Sequence, residues 1–259
     1  MVAAAEARVR ALAPRTHELL LAAGSAAAVP SLRSALSGPN IGIIGEVKRA
    51  SPSRGVINAN LNAADQARAY ERGGAIAISV LTGPSRFAGN NADLVAVRSA
   101  VGIPVLKKDF HVDPVQLFEA RTLGSSAALV IARAVSPSRL AELLLVGRDI
   151  GLEILVEVRD ESELERALSC GADMIGVNNR NLESLAVDRS TIDRVLPLIP
   201  RSCRAVAESG FETRADVERA AAKGADAILI GSALSASSEP EAAVRSLTAV
   251  PRVPDARED

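Results

Sequence analysis

The stretch Ile41-Gly42-Ile43-Ile44-Gly45-Glu46-Val47-Lys48-Arg49-Ala50-Ser51-Pro52-Ser53-Arg54-Gly55 starts apolar and ends charged. Its first part reads as a buried parallel strand, yet a carboxylate and an ammonium close it. Glu46 and Lys48 stand two residues apart, so the strand period points both side chains to one face. If that face lines the interior of a closed barrel, two opposite charges enter a low-dielectric space where they must serve something. The Ser51-Pro52-Ser53-Arg54-Gly55 segment then leaves the strand as a rigid polar loop suited to a phosphate. A structural ion pair explains Glu46 and Lys48 as well, while they are taken alone.

Repetition decides between the two. Apolar, β-branched-rich runs recur at 41–47, 76–81, 103–107, 127–131, 153–158, 174–178, 204–208 and 227–231. Stretches of helical period, rich in Ala, Leu, Arg and Glu, lie between them at 61–72, 91–100, 114–122, 137–149, 161–169, 189–198, 213–222 and 239–248. Eight such units in 259 residues predict a (β/α)8 barrel, an α/β fold that needs about 250. Gly73-Gly74, Gly124, Gly151, Cys170-Gly171 and Lys223-Gly224 each precede a strand. Glycine there ends a helix in the left-handed conformation without Cβ strain.

Polar residues gather where these strands finish. Glu46 and Lys48 follow the first, Lys107-Lys108-Asp109 the third, and Glu157 the fifth. Asn178-Asn179-Arg180 ends the sixth, Glu208-Ser209-Gly210 the seventh and Gly231-Ser232 the eighth. Catalytic groups of this fold sit at the C-terminal face of the barrel, supplied by several strands. A converging site accounts for all these endings at once. Ser51, Ser209-Gly210 and Gly231-Ser232 further suggest an anion site, because this fold often places phosphate at the loops after strands seven and eight. Gly210 and Gly231 also read as plain turn glycines when each is taken singly.

Composition narrows the classes. A hydrophobic content of 48% supports one sizeable core, and no linker divides the chain, so residues 1–259 are expected to form a single barrel domain. Residues 1–40 are expected to be a helical extension packed on the barrel, and 251–259 a flexible tail. Net charge of −1 implies no general attraction to nucleic acid, and 2% aromatics with no Trp offer no stacking surface for single strands. Cys170 and Cys203 carry no zinc spacing and suggest a reducing compartment. With only His17 and His111, a His-rich metal centre is excluded and a Ser/His/Asp triad disfavoured. His111 is expected to be a loop residue. Residues 2–23, with Glu6, Arg8, Arg10, Arg15 and Glu18 among Ala and Leu, read as an amphipathic helix rather than a signal peptide. No apolar run approaches the ~20 residues of a membrane span, so a cytoplasmic protein is expected.

Taken in order, these residues resemble indole-3-glycerol phosphate synthases over roughly Ser31 to Val250. The resemblance is carried by Gly45 to Ser53, Ile78-Ser79-Val80-Leu81-Thr82, Pro104 to Phe110 and Leu155-Val156-Glu157-Val158. It continues through Ile175 to Leu182 and Ala207-Glu208-Ser209-Gly210, and the N-terminal extension also looks like this family's. The resemblance implies ring closure of 1-(2-carboxyphenylamino)-1-deoxyribulose 5-phosphate, with loss of CO2 and water, in tryptophan biosynthesis. By it Lys108 is the general acid, Glu157 the general base, and Lys48 the holder of the substrate carboxylate. Glu46 and Asn178 match residues that bind substrate hydroxyls or help dehydration, while Arg180 and Glu208 orient the others. Ser51, Gly210, Gly231 and Ser232 match phosphate contacts, with Ser209 beside them. No metal and no organic cofactor is implied. The implied partner is a phosphorylated small molecule, with neither nucleic acid nor membrane, in association with other tryptophan-pathway enzymes.

The chain departs from the family pattern at Gly83-Pro84-Ser85-Arg86, where an acidic residue is common, at Gly89 to Leu94, and at Val115 in place of an aromatic. These departures bear on loop closure and leave open a paralogue serving a specialised indole pathway. Two further readings stay open at this stage. One is another phosphosugar barrel, such as a phosphoribosylanthranilate isomerase; the other is a non-catalytic barrel that binds a phosphorylated ligand. Near Lys108, repulsion from Lys48 would lower the ammonium pKa while Glu46, Glu157 and Glu208 oppose that shift. Sequence alone leaves that balance undecided.

Overall fold

Each apolar run becomes a strand of a closed cylinder in the computed structural model, which describes residues 2–51, 55–181, 184–253 and 256–257, the side chains of Ser85 and Arg86 apart. Pro52, Ser53 and Arg54 of the expected phosphate loop, and Leu182, lie outside the described residues. The strands are β1 (Gly42–Val47), β2 (Ala77–Leu81), β3 (Val105–Lys108), β4 (Ala127–Ile131), β5 (Glu153–Val158), β6 (Met174–Asn178), β7 (Arg204–Glu208) and β8 (Ala227–Ile230). All pair in parallel with their sequence neighbours, and β8 closes on β1 with Gly42 opposite Ala227 and Gly45 opposite Ile230. The fold is a (β/α)8 barrel, as the alternation predicts.

The strand period of two sorts side chains into two layers. Ile44, Leu106, Leu129, Leu155, Val206 and Leu229 fill the cylinder, while Ile43, Val80, Val130, Val156 and Val177 pack outward against the helices. Glu46 shares the parity of Ile44 and so turns inward. Asn62, Asn90, Asp113, Ser136, Asp160 and Thr213 each cap the helix that follows by accepting from a first-turn amide. Such a cap contributes about 1 kcal/mol. At the other helix ends Gly74, Gly124, Gly151, Gly171 and Gly224 all take positive φ, from 66° to 98°, as the stop signals require.

The N-terminal extension plugs and flanks the barrel. Leu32 and Leu36 are buried with the interior residues. The helix Leu32–Ala35 is fastened through Glu153, whose carboxylate accepts from the Leu32 and Arg33 amides at 2.6 and 3.0 Å. The single amphipathic helix expected over 2–23 is instead two, Val2–Leu12 and Thr16–Gly24, joined by a 3-10 turn at Ala13–Arg15. Pro14 is the cause, since a proline inside a helix lacks a donor and clashes with the preceding turn. The described part of the C-terminal tail makes contacts with the rest of the chain. Pro251 bridges to Asn40, and Arg252 and Arg257 both reach the buried carboxylate of Asp226. A buried charge without partners is costly, which ties Arg252 and Arg257 to the barrel through Asp226. Among the described residues no helix is long and apolar enough to cross a membrane.

Candidate active site

The C-terminal ends of the strands open into one cavity of about 410 Å³. Its lining includes Glu46, Lys48, Ser51, Lys108, Glu157, Asn178, Arg180, Glu208, Ser209, Gly210, Gly231 and Ser232, so every site residue expected from the sequence is brought together. A volume of this order suits a small organic ligand.

The charged floor is built by strand geometry. Lys48 Nζ donates to Glu46 Oε1 at 2.8 Å. Across the barrel, Lys108 Nζ donates to Glu208 Oε2 and stands 3.5 Å from Glu157 Oε2. Glu46, Glu157 and Glu208 are only 3%, 4% and 1% exposed, so these charges act in a poorly solvated space. Two glycines make room for them. A Cβ on Gly176 would fall 2.3 Å from Glu208 Oε1, and one on Gly231 would fall 2.4 Å from Glu46 Oε1. Gly231 has an ordinary φ of −115°, so the close approach of Glu46, rather than a turn, is what demands glycine.

Burial favours protonation of Glu208, Lys108 opposes it and Glu157 adds repulsion; the result pushes the Glu208 carboxyl up to about 7. For Lys108, burial disfavours the ammonium, but Glu208, Glu157 and Glu46 together outweigh that, and the pKa is raised. The balance left open by the sequence therefore falls to the carboxylates, with Lys48 turned to Glu46. Burial likewise raises Glu46, yet Lys48, Lys108 and Arg180 leave it below the usual carboxyl range.

Behind the site, buried polar groups hold the floor in place. Ser235 Oγ donates to the Glu46 carbonyl at 3.0 Å, and Tyr70 lies against Ser235 and Gln66. A Cβ on Gly45 would meet the Tyr70 ring at 2.5 Å, so glycine there lets the ring reach the back of β1. Asn178 Oδ1 accepts from the Arg180 amide at 2.8 Å, while Asn179 donates to the Ser209 carbonyl at 3.0 Å. Asn179 thereby ties the end of β6 to the loop after β7. His111 is buried, with Nδ1 2.7 Å from the Leu129 carbonyl, and burial with neighbouring Lys107 lowers its pKa to about 4. A neutral imidazole donating to a carbonyl is a structural role.

Ser232 opens a short helix, Ser232–Ser235, at the end of β8. Ser209 and Gly210 both have positive φ, 67° and 84°. The loop after β6 folds above them, with Arg180 bridged to Val187 and Arg180 Nη1 donating to the Leu185 carbonyl at 2.9 Å. Sequence reasoning missed the apolar wall of Phe87, Leu185 and Val187, and the entry of Ala4 and Arg8 from the N-terminal helix. Phe110, which the sequence marks only as part of a motif, joins this lining. Arg8 Nη2 donates to Asp109 Oδ1 at 2.7 Å, beside Lys108. No local pattern marks such residues, because the N-terminal helix and the loops bring them in from distant positions.

A half-buried lysine between carboxylates, in a cavity also lined by hydroxyls and backbone amides, suits acid-base chemistry on a phosphorylated ligand. The indole-3-glycerol phosphate synthase family model matches residues 2–247. The protein so named from Rhodococcus jostii is 47% identical over 227 residues, covering 87% of this chain and 84% of that one. Its counterpart from Streptomyces griseus is 49% identical over 216 residues, covering 83% and 80%, and that from Mycolicibacterium smegmatis 48% over 223, covering 85% and 82%. Thiamine phosphate pyrophosphorylase from Pyrococcus furiosus superposes with a TM-score of 0.61 over 84% of this chain and 96% of that one; at 15% identity it shares the fold alone. A match running from the N-terminal helix through the last strand, over a chain whose strand ends meet in one charged cavity, places this protein in the indole-3-glycerol phosphate synthase family.

Proposed function

We propose that this chain is a carbon–carbon lyase that converts 1-(2-carboxyphenylamino)-1-deoxyribulose 5-phosphate to indole-3-glycerol phosphate in tryptophan biosynthesis. The observation that carries the reading is the Lys108 ammonium bonded to Glu208, with Glu157 3.5 Å away, in a buried cavity. The aryl carbon bearing the carboxylate attacks the ketone carbon, and the carbonyl pair moves to oxygen as the ring closes. Lys108 stabilises that oxygen and gives it a proton. The carboxylate then leaves as CO2, its bonding pair neutralising the ring iminium. Finally the new hydroxyl is protonated and departs as water, while Glu157 takes a proton from the carbon beside nitrogen. Two protons enter and one leaves, so one is consumed overall, as decarboxylation of a carboxylate requires.

The remaining roles are those the family resemblance implies. Lys48, braced by Glu46, holds the substrate carboxylate, and Glu46 and Asn178 serve the hydroxyls and the dehydration. Glu208 and Arg180 orient the others, while Ser51, Ser209, Gly210, Gly231 and Ser232 receive the phosphate. Phe110 and Leu185 give the aromatic ring an apolar bed. The free thiols of Cys170 and Cys203 suit a cytoplasmic setting, where association with other enzymes of the pathway is checked by co-elution from extract.

The test is direct. Purified protein is mixed with the substrate, and indole fluorescence and CO2 release are followed together. Both should appear in equal amount. Consumption of substrate without either would point to isomerase chemistry, and no consumption to a binding barrel.

A further inference from the structure

We infer that Arg189, on the loop after β6, is the cation that meets the substrate's phosphate at the rim of the cavity. The inference rests on the phosphosugar reading above. The proposed cradle of Ser51, Ser209, Gly210, Gly231 and Ser232 offers hydroxyls and amides but no formal positive charge. A phosphate monoester carries about −1.5 to −2 at pH 7, and partial burial against neutral donors leaves that charge uncompensated. The ammonium groups deeper in the cavity have other tasks in this reading, Lys48 on the substrate carboxylate and Lys108 on the ketone oxygen, and each is braced by a carboxylate, Glu46 at 2.8 Å and Glu208.

Arg189 lines the same cavity. Its Nε stands 3.7 Å from the point a Cβ on Gly210 would occupy, which places the guanidinium over one of the cradle's own glycines. The arginine is also held in place. Nη1 donates to Asp216 Oδ1 at 2.9 Å, and the backbone carbonyl accepts from Arg219 Nη2. Asp216 lies in the first turn of the helix Arg214–Ala222, so a guanidinium from the loop after β6 is moored to the helix after β7, across Gly210. One bond to Asp216 uses one of five N–H donors, and the planar fork suits phosphate oxygens. With its side chain 50% exposed, Arg189 stands where an incoming anion first meets the protein.

The full-length protein and its Arg189→Leu and Arg189→Lys variants test this. The readouts are kcat, KM, competitive inhibition by inorganic phosphate, and inhibition by a carboxyphenylamino sugar analogue lacking the phosphate. Arg189→Leu should raise both KM and the phosphate inhibition constant about tenfold, as for a lost charge-assisted hydrogen bond. Turnover at saturation should hold, since the contact is equal in ground and transition states. The phosphate-free analogue should bind as before, and lysine should restore part of the loss. An unchanged phosphate inhibition constant overturns the inference, and so does equal weakening of the phosphate-free analogue. Absence of wild-type turnover would defeat the lyase reading instead, and phosphate binding measured by calorimetry would still judge Arg189.

Discussion

At Lys108, burial and attraction pull in opposite directions, and three carboxylates decide the outcome. Its ammonium stays charged throughout the neutral range, so it meets the developing alkoxide with a full charge. Glu208 is the counterpart, with burial lifting its pKa to about 7. A native value above the ordinary 4.5 means the folded protein keeps a proton that the unfolded chain has already released between those pH values. The stability Glu208 contributes is therefore complete below about pH 4.5 and is lost as pH rises through about 7. Glu208→Gln cannot titrate. Compared with wild type, its stability in urea unfolding should improve between pH 5 and pH 8, by on the order of 2 kcal/mol. A difference constant across that range would contradict the account of this carboxyl.

At the scale of elements, strands position the carboxylates and glycines on neighbouring strands give them room. Gly176 in β6 faces the Glu208 side chain of β7, and a Cβ there would stand 2.3 Å from its Oε1. Gly176→Ala should leave the circular dichroism spectrum native while displacing Glu208 and lowering kcat by ~10²-fold, since an ångström of misplacement can cost that much. An unaltered kcat would show that Glu208 need not stand where it does. The sequence made the strands, helices and stop glycines legible because period and turn chemistry are local properties. It also marked Glu46, Lys108 and Glu157, because charge at the end of an apolar run is conspicuous. The purpose of Gly176 and Gly231 was not legible, since it depends on register between strands, with Asn178 paired to Glu208 and Gly45 to Ile230. Arg8 escaped notice for a similar reason, as the N-terminal helix reaches Asp109 only once the barrel has formed. Arg8→Ala should lower kcat/KM several-fold by loosening Asp109 and the loop that follows Lys108, and an unaffected value would leave the helix without influence on the site.

Across the whole molecule the two ends of the barrel divide the work. The C-terminal mouth keeps buried charges and conformationally unusual residues such as Ser209. The opposite end carries Asp226, 1% exposed, which accepts from Arg252, Arg257 and the Ala205 amide. Asp226→Ala leaves Arg257 buried without its carboxylate and should lower stability by about 3–5 kcal/mol in urea unfolding. KM should not change, because the site lies at the far ends of the strands; a raised KM would show the two ends coupled. Arg257 stands in a Pro- and charge-rich tail whose composition gives no hint of a distant buried carboxylate.

The claim that joins these scales is that the lysine gripped by Glu208 beside Glu157 drives ring closure, and its most direct test is the turnover number of Lys108→Ala on the carboxyphenylamino-deoxyribulose phosphate. The account predicts a fall of ~10²–10⁴-fold, as for a lost general acid, with substrate still bound. A variant that closes the ring at nearly the wild-type rate would contradict it.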